Sequence, residues 1–442
     1  MFLAVRRFLL TSLLPLGILT LAGCAMRRFA LTCLLPLGFL ALTGCSKGQW
    51  VGRQSPMDPK GPLAQSQFDV FMDTVWLSLI LFVIVGGILV YAVIRFRERP
   101  GQANTRPPEQ GHGNPMIEIG LIMASVASLV VIAIPTLEAI WYMDDVPVES
   151  KPASKLSAWY TGKIDPKVAE DVLTIDVVGK QWWFRFEYPQ LGLTQEGKRA
   201  IPNEIVIPRG KAVRINLRSE DVIHSFWIPK IAGKVDMVPG RRNHMWIQGD
   251  QVGLYYGQCA EFCGDSHAYM RFRCRVVEPE DFAKWVEAQR VPAVEPAANS
   301  LAATGKALFA QKTCAMCHRI GGQYDAGNFA PDLTHVASRT SLAGAWLDNR
   351  DPATQLAIDA KGNTELSAPI DPALQRKNLA AWIGSSGVLV DANGKPVHAA
   401  DIKPGNRMHY YRMFNVAGLN ETKVKLTQAE LDAIVEYLMT LN

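Results

Sequence analysis

Cysteine is scarce in this chain, and so is unbalanced charge; each shortage excludes something. Eight cysteines in 442 residues are too few for a disulfide-stapled scaffold, and Cys24, Cys33 and Cys45 fall in the opening segment. Cys259 with Cys263, and Cys314 with Cys317, sit in motifs suited to metal and haem, so only Cys274 is left over and no disulfide framework remains. A formal net charge of +5 is too mild to argue for a nucleic-acid partner. What is present is length enough for two or three domains, with 48% hydrophobic residues, which suits a membrane portion beside soluble ones.

Residues 1–45 read as a secretory leader. Arg6 to Gly17 recurs almost unchanged as Arg27 to Gly38, and each copy runs from a basic start through a short apolar stretch to a small-residue site ending in Cys24 or Cys45. The apolar part is too short to span a bilayer stably. The pattern resembles a bacterial lipoprotein signal, which implies lipidation at Cys45. Met26 opens a complete second copy, so the first reads as a duplication or a misplaced start; an uncleaved anchor is the alternative.

Residues 46–150 read as a transmembrane helix hairpin. Uncharged runs at Val75 to Ile94 and Ile119 to Leu137 give spans at about 72–94 and 117–141. Arg95, Arg97, Arg99 and Arg106 lie between them, and the positive-inside bias places that loop in the cytoplasm and both flanks outside. Pro135 is expected to kink the second span. Glu118 stands at its cytoplasmic mouth, either solvated among headgroups or serving a proton path in a partner protein.

Residues 151–290 turn to short β-rich runs at 172–178, 181–188, 204–207, 212–217, 244–247 and 253–257, punctuated by Gly and Pro. That reads as a small all-β sandwich or barrel. A last strand alternates, with Met270, Phe272, Cys274 and Val276 on one face and Arg271, Arg273 and Arg275 on the other. The loop before it carries Cys259, Cys263, His267 and Met270, and His224 is the candidate for one more ligand. Thiolates, imidazole and thioether together suit a soft, redox-active metal, copper above all. A Cys259–Cys263 disulfide is the competing reading, but it leaves His267 and Met270 unexplained. Two thiolates can also bridge two copper ions.

At this point the sequence resembles a known family. Gly257 to Gly264 with His267 and Met270, preceded by His224-Ser-Phe226, looks like the dinuclear CuA site of cytochrome c oxidase subunit II. Gly179 to Tyr188, Lys234 to Arg241 and Gly111 to Glu118 resemble other stretches of that family. The resemblance implies a cupredoxin-like Greek-key barrel and copper ligation by His224, Cys259, Glu261 through its carbonyl, Cys263, His267 and Met270. It further implies a magnesium ion shared with subunit I through the Glu261 carboxylate, with Asp236 near the same region. By the same resemblance Trp182 is the entry point for electrons from cytochrome c, and Glu118 the acid at a proton channel of subunit I. Trp182 also reads simply as a buried aromatic on a strand.

Pro279 to Gln289 reads as a closing helix, and the Pro/Ala-rich residues 291–300 as a linker. The resemblance to cytochrome c domains implies that residues 301–442 form an all-α domain of the class I type. Cys314, Cys317 and His318 make a C-x-x-C-H haem c attachment motif behind a helix-like stretch from Leu301 to Lys312; a zinc site would need two further well-spaced ligands. Met408, in a stretch resembling the ligand loop of fused cytochrome c domains, is the candidate sixth ligand, with His409 and Met413 as alternatives; a thioether there raises the haem potential. Pro331 is the candidate to orient His318 through its carbonyl, with an ordinary loop proline as the other reading. Thr427 to Glu430 is a capping box opening a final helix with an apolar stripe of Leu431, Ile434, Val435 and Leu438. Residues 351–400 look like insertions.

The resemblance therefore implies an electron-transfer subunit of a proton-pumping haem–copper oxidase in a bacterial cytoplasmic membrane, its redox domains on the outer side. Its partners would be subunits I and III, membrane lipid, and a donor such as a cytochrome c or the bc complex. Oxygen chemistry would occur in subunit I. A nitric oxide reductase subunit and a membrane-anchored copper chaperone are the rival readings.

Overall fold

The computed structural model describes residues 52–97, 111, 113–144, 146, 172–197, 199–361, 365–391, 393–395, 402–408 and 425–442. Cys45, Arg99, Arg106, His409 and Met413 lie outside these.

Two long helices come first. Helix α1 spans Pro62–Arg95, with the non-helical Gly61 before it and Pro62 in the first turn, where a missing N–H costs nothing. Helix α2 spans Pro115–Asp144 and runs through Pro135. Leu79, Phe82, Ile88, Leu121 and Leu129 are exposed along these helices, as a lipid-facing hairpin requires. Where the hairpin meets the next domain, the Trp246 indole donates to the Tyr142 carbonyl at 3.0 Å, and the amide of Ala64 donates to the Ile231 carbonyl at 3.3 Å.

The β-domain is two stacked five-stranded sheets. The strands are β1 (Thr174–Lys180), β2 (Trp183–Glu187), β3 (Ile201–Pro202), β4 (Glu204–Pro208), β5 (Val213–Ser219), β6 (His224–Trp227), β7 (Lys234–Met237), β8 (Asn243–Ile247), β9 (Gly253–Cys259) and β10 (Arg271–Val277). They are ordered β3-β2-β1-β5-β8 and β4-β10-β9-β6-β7, a mixed cupredoxin-like arrangement. Alternation puts Phe184, Phe186, Phe226 and Phe272 between the sheets, all fully buried, with Phe226 and Phe272 stacked at a centroid distance of 4.8 Å. Aromatic pairs of this kind add about 0.5–1.5 kcal/mol each beyond their buried area. Cys274 is buried core. Of the arginine face of β10, Arg273 is only 4% exposed, because the following domain covers it.

Helix α3 (Pro279–Arg290) closes the β-domain. The stretch from 291 to 300 is mostly exposed and touches the following domain near its start. The amide of Ala293 donates to the Gly321 carbonyl at 3.0 Å, and the Gln323 side-chain amide donates to the Val294 carbonyl at 3.0 Å.

The last domain is helical. Helix α4 (Leu301–Gln311) leads into the single turn α5 (Cys314–Cys317); α6 (Pro352–Ala360) and α7 (Pro372–Ile383) follow, and α8 (Gln428–Met439) opens on the complete Thr427–Glu430 capping box. Leu431, Ile434, Val435 and Leu438 are all buried, and α8 packs on α4. The stretch expected as insertions is largely structural. Asp351 and Asp371 cap α6 and α7 through side-chain bonds to Thr354 and Leu374 amides, and Leu379 and Ile383 belong to the core. Each helix starts with Asp-Pro, so the turn-like dipeptides mark helix entry.

The α4–α8 crossing depends on Gly305, where a Cβ would lie 1.8 Å from the Ala433 carbonyl oxygen. Gly305→Ala is therefore expected to force the helices apart and cost about 1–3 kcal/mol. Thermal unfolding followed through the haem absorbance would register it as an earlier transition confined to this domain.

Candidate functional site

The loop between β9 and β10 is pinched at its base. The Cys259 amide donates to the Met270 carbonyl at 2.9 Å, so the two residues face each other where the ladder opens. Strand β6 pairs with β9, placing Phe226 opposite Cys259, and so brings His224 to the same end of the sandwich. The imidazole lies flat against β1 only because residue 179 is glycine; a Cβ there would be 2.7 Å from the ring.

The donor atoms converge. The Cys259 and Cys263 sulfurs are 3.8 Å apart, far beyond the roughly 2.05 Å of a disulfide, and both thiols are free. His224 Nδ1 is 3.9 Å from the Cys259 sulfur, and the Glu261 carbonyl oxygen is 3.2 Å from it. His267 Nδ1 and the Met270 sulfur are 3.6 Å and 3.8 Å from the Cys263 sulfur. Each sulfur thus has one imidazole of its own. Cys259, Cys263, His224 and Met270 are buried, while the Glu261 carboxylate points outward.

The electrostatics suit a cation. The neighbouring Cys263 thiol is the largest influence holding Cys259 below the ordinary thiol range, against the cost of burial, with His224 also assisting. Cys263, beside that sulfur and buried, is pushed up. Burial works against charge on His224, but the Asp221 carboxylate and the Cys259 sulfur outweigh it and raise its pKa. His224 Nε2–H donates to Asp221 at 2.8 Å, fixing the tautomer that leaves Nδ1 for a metal. The sequence reading missed Asp221, because an acid three residues away on a bend carries no ligand spacing.

Trp182 is tied to this loop. Its indole N–H donates to the Cys263 carbonyl at 3.0 Å, and the Gln181 side-chain amide donates to the same oxygen at 2.8 Å. Asp236 lies on β7 opposite Ser225, outside the donor cluster. Glu118 is in the exposed first turn of α2, far along the chain's membrane hairpin and in contact with none of these groups.

Between the helical domain and the β-domain lies an apolar cavity, lined by Phe309, Cys314, His318, Leu333, Met408 and Leu438 on one side and by Trp182 and Trp183 on the other. The His318 Nδ1–H donates to the Pro331 carbonyl at 2.8 Å, turning Nε2 to the other side of the ring. Burial holds the imidazole below its ordinary pKa, in the neutral, ligating form. A flat apolar group carrying a metal fits these walls, with two free thiols beside it. Met408 lines the same cavity.

Residues 173–277 match the family Cytochrome C oxidase subunit II, periplasmic domain, and residues 302–387 match the family Cytochrome c. Cytochrome c oxidase subunit 2 of Alkalihalophilus pseudofirmus is 34% identical over 342 residues, covering 77% of this chain and 84% of that protein. Cytochrome c oxidase subunit 2 of Bacillus subtilis is 27% identical, covering 88% of this chain and 91% of that one. Among solved structures, the periplasmic domain of subunit II of cytochrome oxidase from Bradyrhizobium japonicum is 39% identical, covering 27% of this chain and 93% of that one, with a TM-score of 0.24.

Proposed function

The chain belongs to the cytochrome c oxidase subunit II family, and on that premise we propose which of its residues hold the redox groups and which partners they serve. It is the electron-transfer subunit of a haem–copper terminal oxidase, membrane-anchored, with a cytochrome c domain fused behind the copper domain. The observation that carries the site assignment is the pair of free sulfurs, each with its own imidazole.

On this reading His224, Cys259, Cys263, His267, Met270 and the Glu261 carbonyl hold a dinuclear copper centre, and Cys314, Cys317, His318 and Met408 hold haem c. When bound, these groups supply one-electron redox chemistry with little change in bond lengths. The chain's residues do the rest. Cys259 and Cys263 would ligate the copper as thiolates. Asp221 fixes the His224 ring, and the Pro331 carbonyl fixes His318. The Phe226–Phe272 stack and the buried Met270 keep water from the sulfurs. Trp182 acts as a bonded neighbour of the copper loop on the side from which electrons arrive.

The finer assignments belong to the same proposal. The outward Glu261 carboxylate serves a magnesium ion shared with subunit I, and Glu118 a proton path there. Cys45 carries the lipid. The copper and haem domains stand on the outer side of a bacterial cytoplasmic membrane, beside subunits I and III, and a cytochrome c or the bc complex supplies electrons. The domain limits are those read from the sequence, at residues 46–150, 151–290 and 301–442 around the 291–300 connection.

Asp221→Asn tests the site directly. Losing the carboxylate that orients a ligating imidazole is expected to weaken copper binding roughly 10–100-fold, measured by competition with a chelator. Unchanged copper affinity would show that His224 is not held for a metal.

A further inference from the structure

A basic side chain is buried beside the copper loop. Lys403, in the segment that leads to Met408, is 4% exposed, a depth that lysine seldom reaches. Its amine donates to the Trp182 carbonyl and, at 3.2 Å, to the Ala343 carbonyl. Gly344 makes the room: a Cβ there would lie 2.4 Å from the Lys403 nitrogen and 3.1 Å from the Trp182 carbonyl oxygen.

The turn around the amine is unusual. Ala343, Gly344 and Ala345 all hold left-handed backbone, with φ of 54°, 69° and 57°. For a residue with a Cβ that conformation costs roughly 1–2 kcal/mol. It is also the conformation in which the Ala343 carbonyl meets the amine.

One residue separates this amine from a copper-loop cysteine. Trp182, whose carbonyl accepts from Lys403, donates its indole N–H to the Cys263 carbonyl at 3.0 Å. The influence is felt in charge as well as in bonding. Burial holds the Lys403 amine down, to about 7, and the Cys263 sulfur pulls it back upward. Coupling of this kind is reciprocal: a cation that negative charge at Cys263 stabilises must in turn stabilise that negative charge.

Carbonyl dipoles solvate an ammonium without cancelling its charge, and a buried charge is screened far less than one in water. Adding an electron to a metal held by Cys259 and Cys263 makes that end of the sandwich more negative. A cation one residue away then favours the reduced state.

We propose that Lys403 sets the potential of the copper centre: its ammonium, supplied by the haem domain, raises the reduction potential of the metal at Cys259 and Cys263. The proposal rests on the copper assignment made above. Lys403 acts here through its charge and not as a ligand.

Two neutral variants test it in the intact, cofactor-loaded oxidase. Lys403→Met removes the charge and keeps the length of the side chain, whereas Lys403→Gln removes the charge but keeps an N–H donor for the carbonyls. The measurement is a redox titration of the copper absorbance at about pH 6, where the wild-type amine is protonated. Both variants are expected to show a potential lower by at least about 59 mV, a tenfold change in the one-electron equilibrium. The difference should persist at roughly 1 M salt, because an ion atmosphere does not reach a buried charge. The copper-pair resonance and the haem c spectrum should stay unchanged. A wild-type potential in both variants, or a normal potential in Lys403→Gln alone, overturns the proposal while leaving the copper assignment standing. A wild-type protein without the copper-pair resonance overturns that assignment, and this proposal with it.

Discussion

Cys263→Ser is expected to abolish oxygen consumption by the assembled oxidase while leaving haem c fully reducible. The Cys263 sulfur faces Cys259, His267 and Met270 within 3.8 Å. A serine hydroxyl is a hard, weakly acidic donor that cannot bridge soft copper ions, so the change removes a shared ligand, not just one bond. The haem attachment residues lie in a different domain with their own core, and nothing in that core touches the Cys263 sulfur. Stopped-flow mixing with a reduced donor separates the two outcomes, because haem c should reduce at its usual rate and then stay reduced. Oxygen consumption that survived the change would mean that electrons bypass this loop.

Replacing both attachment thiols, as Cys314→Ala with Cys317→Ala, should have an effect as large on the other side of the chain. Without thioether bonds the haem is held only by axial ligation and an apolar cavity. Covalent haem should vanish from denaturing gels stained for peroxidase activity. The domain should also lose stability, since Phe309, Leu333, Leu438 and Met408 face the cavity that the haem would fill; an unfilled cavity of this kind forfeits both transfer and contact energy. The β-domain, whose core is separate, should still take up copper. Covalent haem persisting in the double variant would place the attachment elsewhere.

Much of this is legible in the sequence because the chemistry is local. Cys259, Cys263, His267 and Met270 fall within a single loop, and Cys314, Cys317 and His318 within a single turn, so spacing alone displays the donor sets. His224 is distant, yet it could be proposed because the cluster needed another imidazole. The strand runs and the capping box at Thr427 are likewise local patterns, in which burial alternates or a side chain reaches three residues along.

What is not legible depends on which surfaces meet. Arg273 alternates outward on β10 and reads as solvated, but the helical domain covers it and supplies the Ala345 carbonyl. Lys403 and Arg350 are ordinary surface residue types, yet each has a β-domain partner more than ninety positions away, the Trp182 carbonyl and the Tyr256 hydroxyl. The 351–400 stretch looks like insertions because it is long for the family, and the helices that begin at Pro352 and Pro372 are not evident from its turn-like sequence. Likewise, Pro and Ala at 291–300 are the composition of a tether, and the bonds of Ala293 and Val294 to Gly321 and Gln323 are not visible in it. In each case the missing information was a tertiary contact, not a residue preference.

The central claim is that this loop holds two copper ions sharing one delocalised electron. Electron paramagnetic resonance of the oxidised, copper-replete protein tests it most directly. The expected result is the multi-line hyperfine pattern of a copper pair, present beside a haem c spectrum and lost in Cys263→Ser. A four-line mononuclear signal from the wild-type protein, or no copper signal after loading, would contradict it.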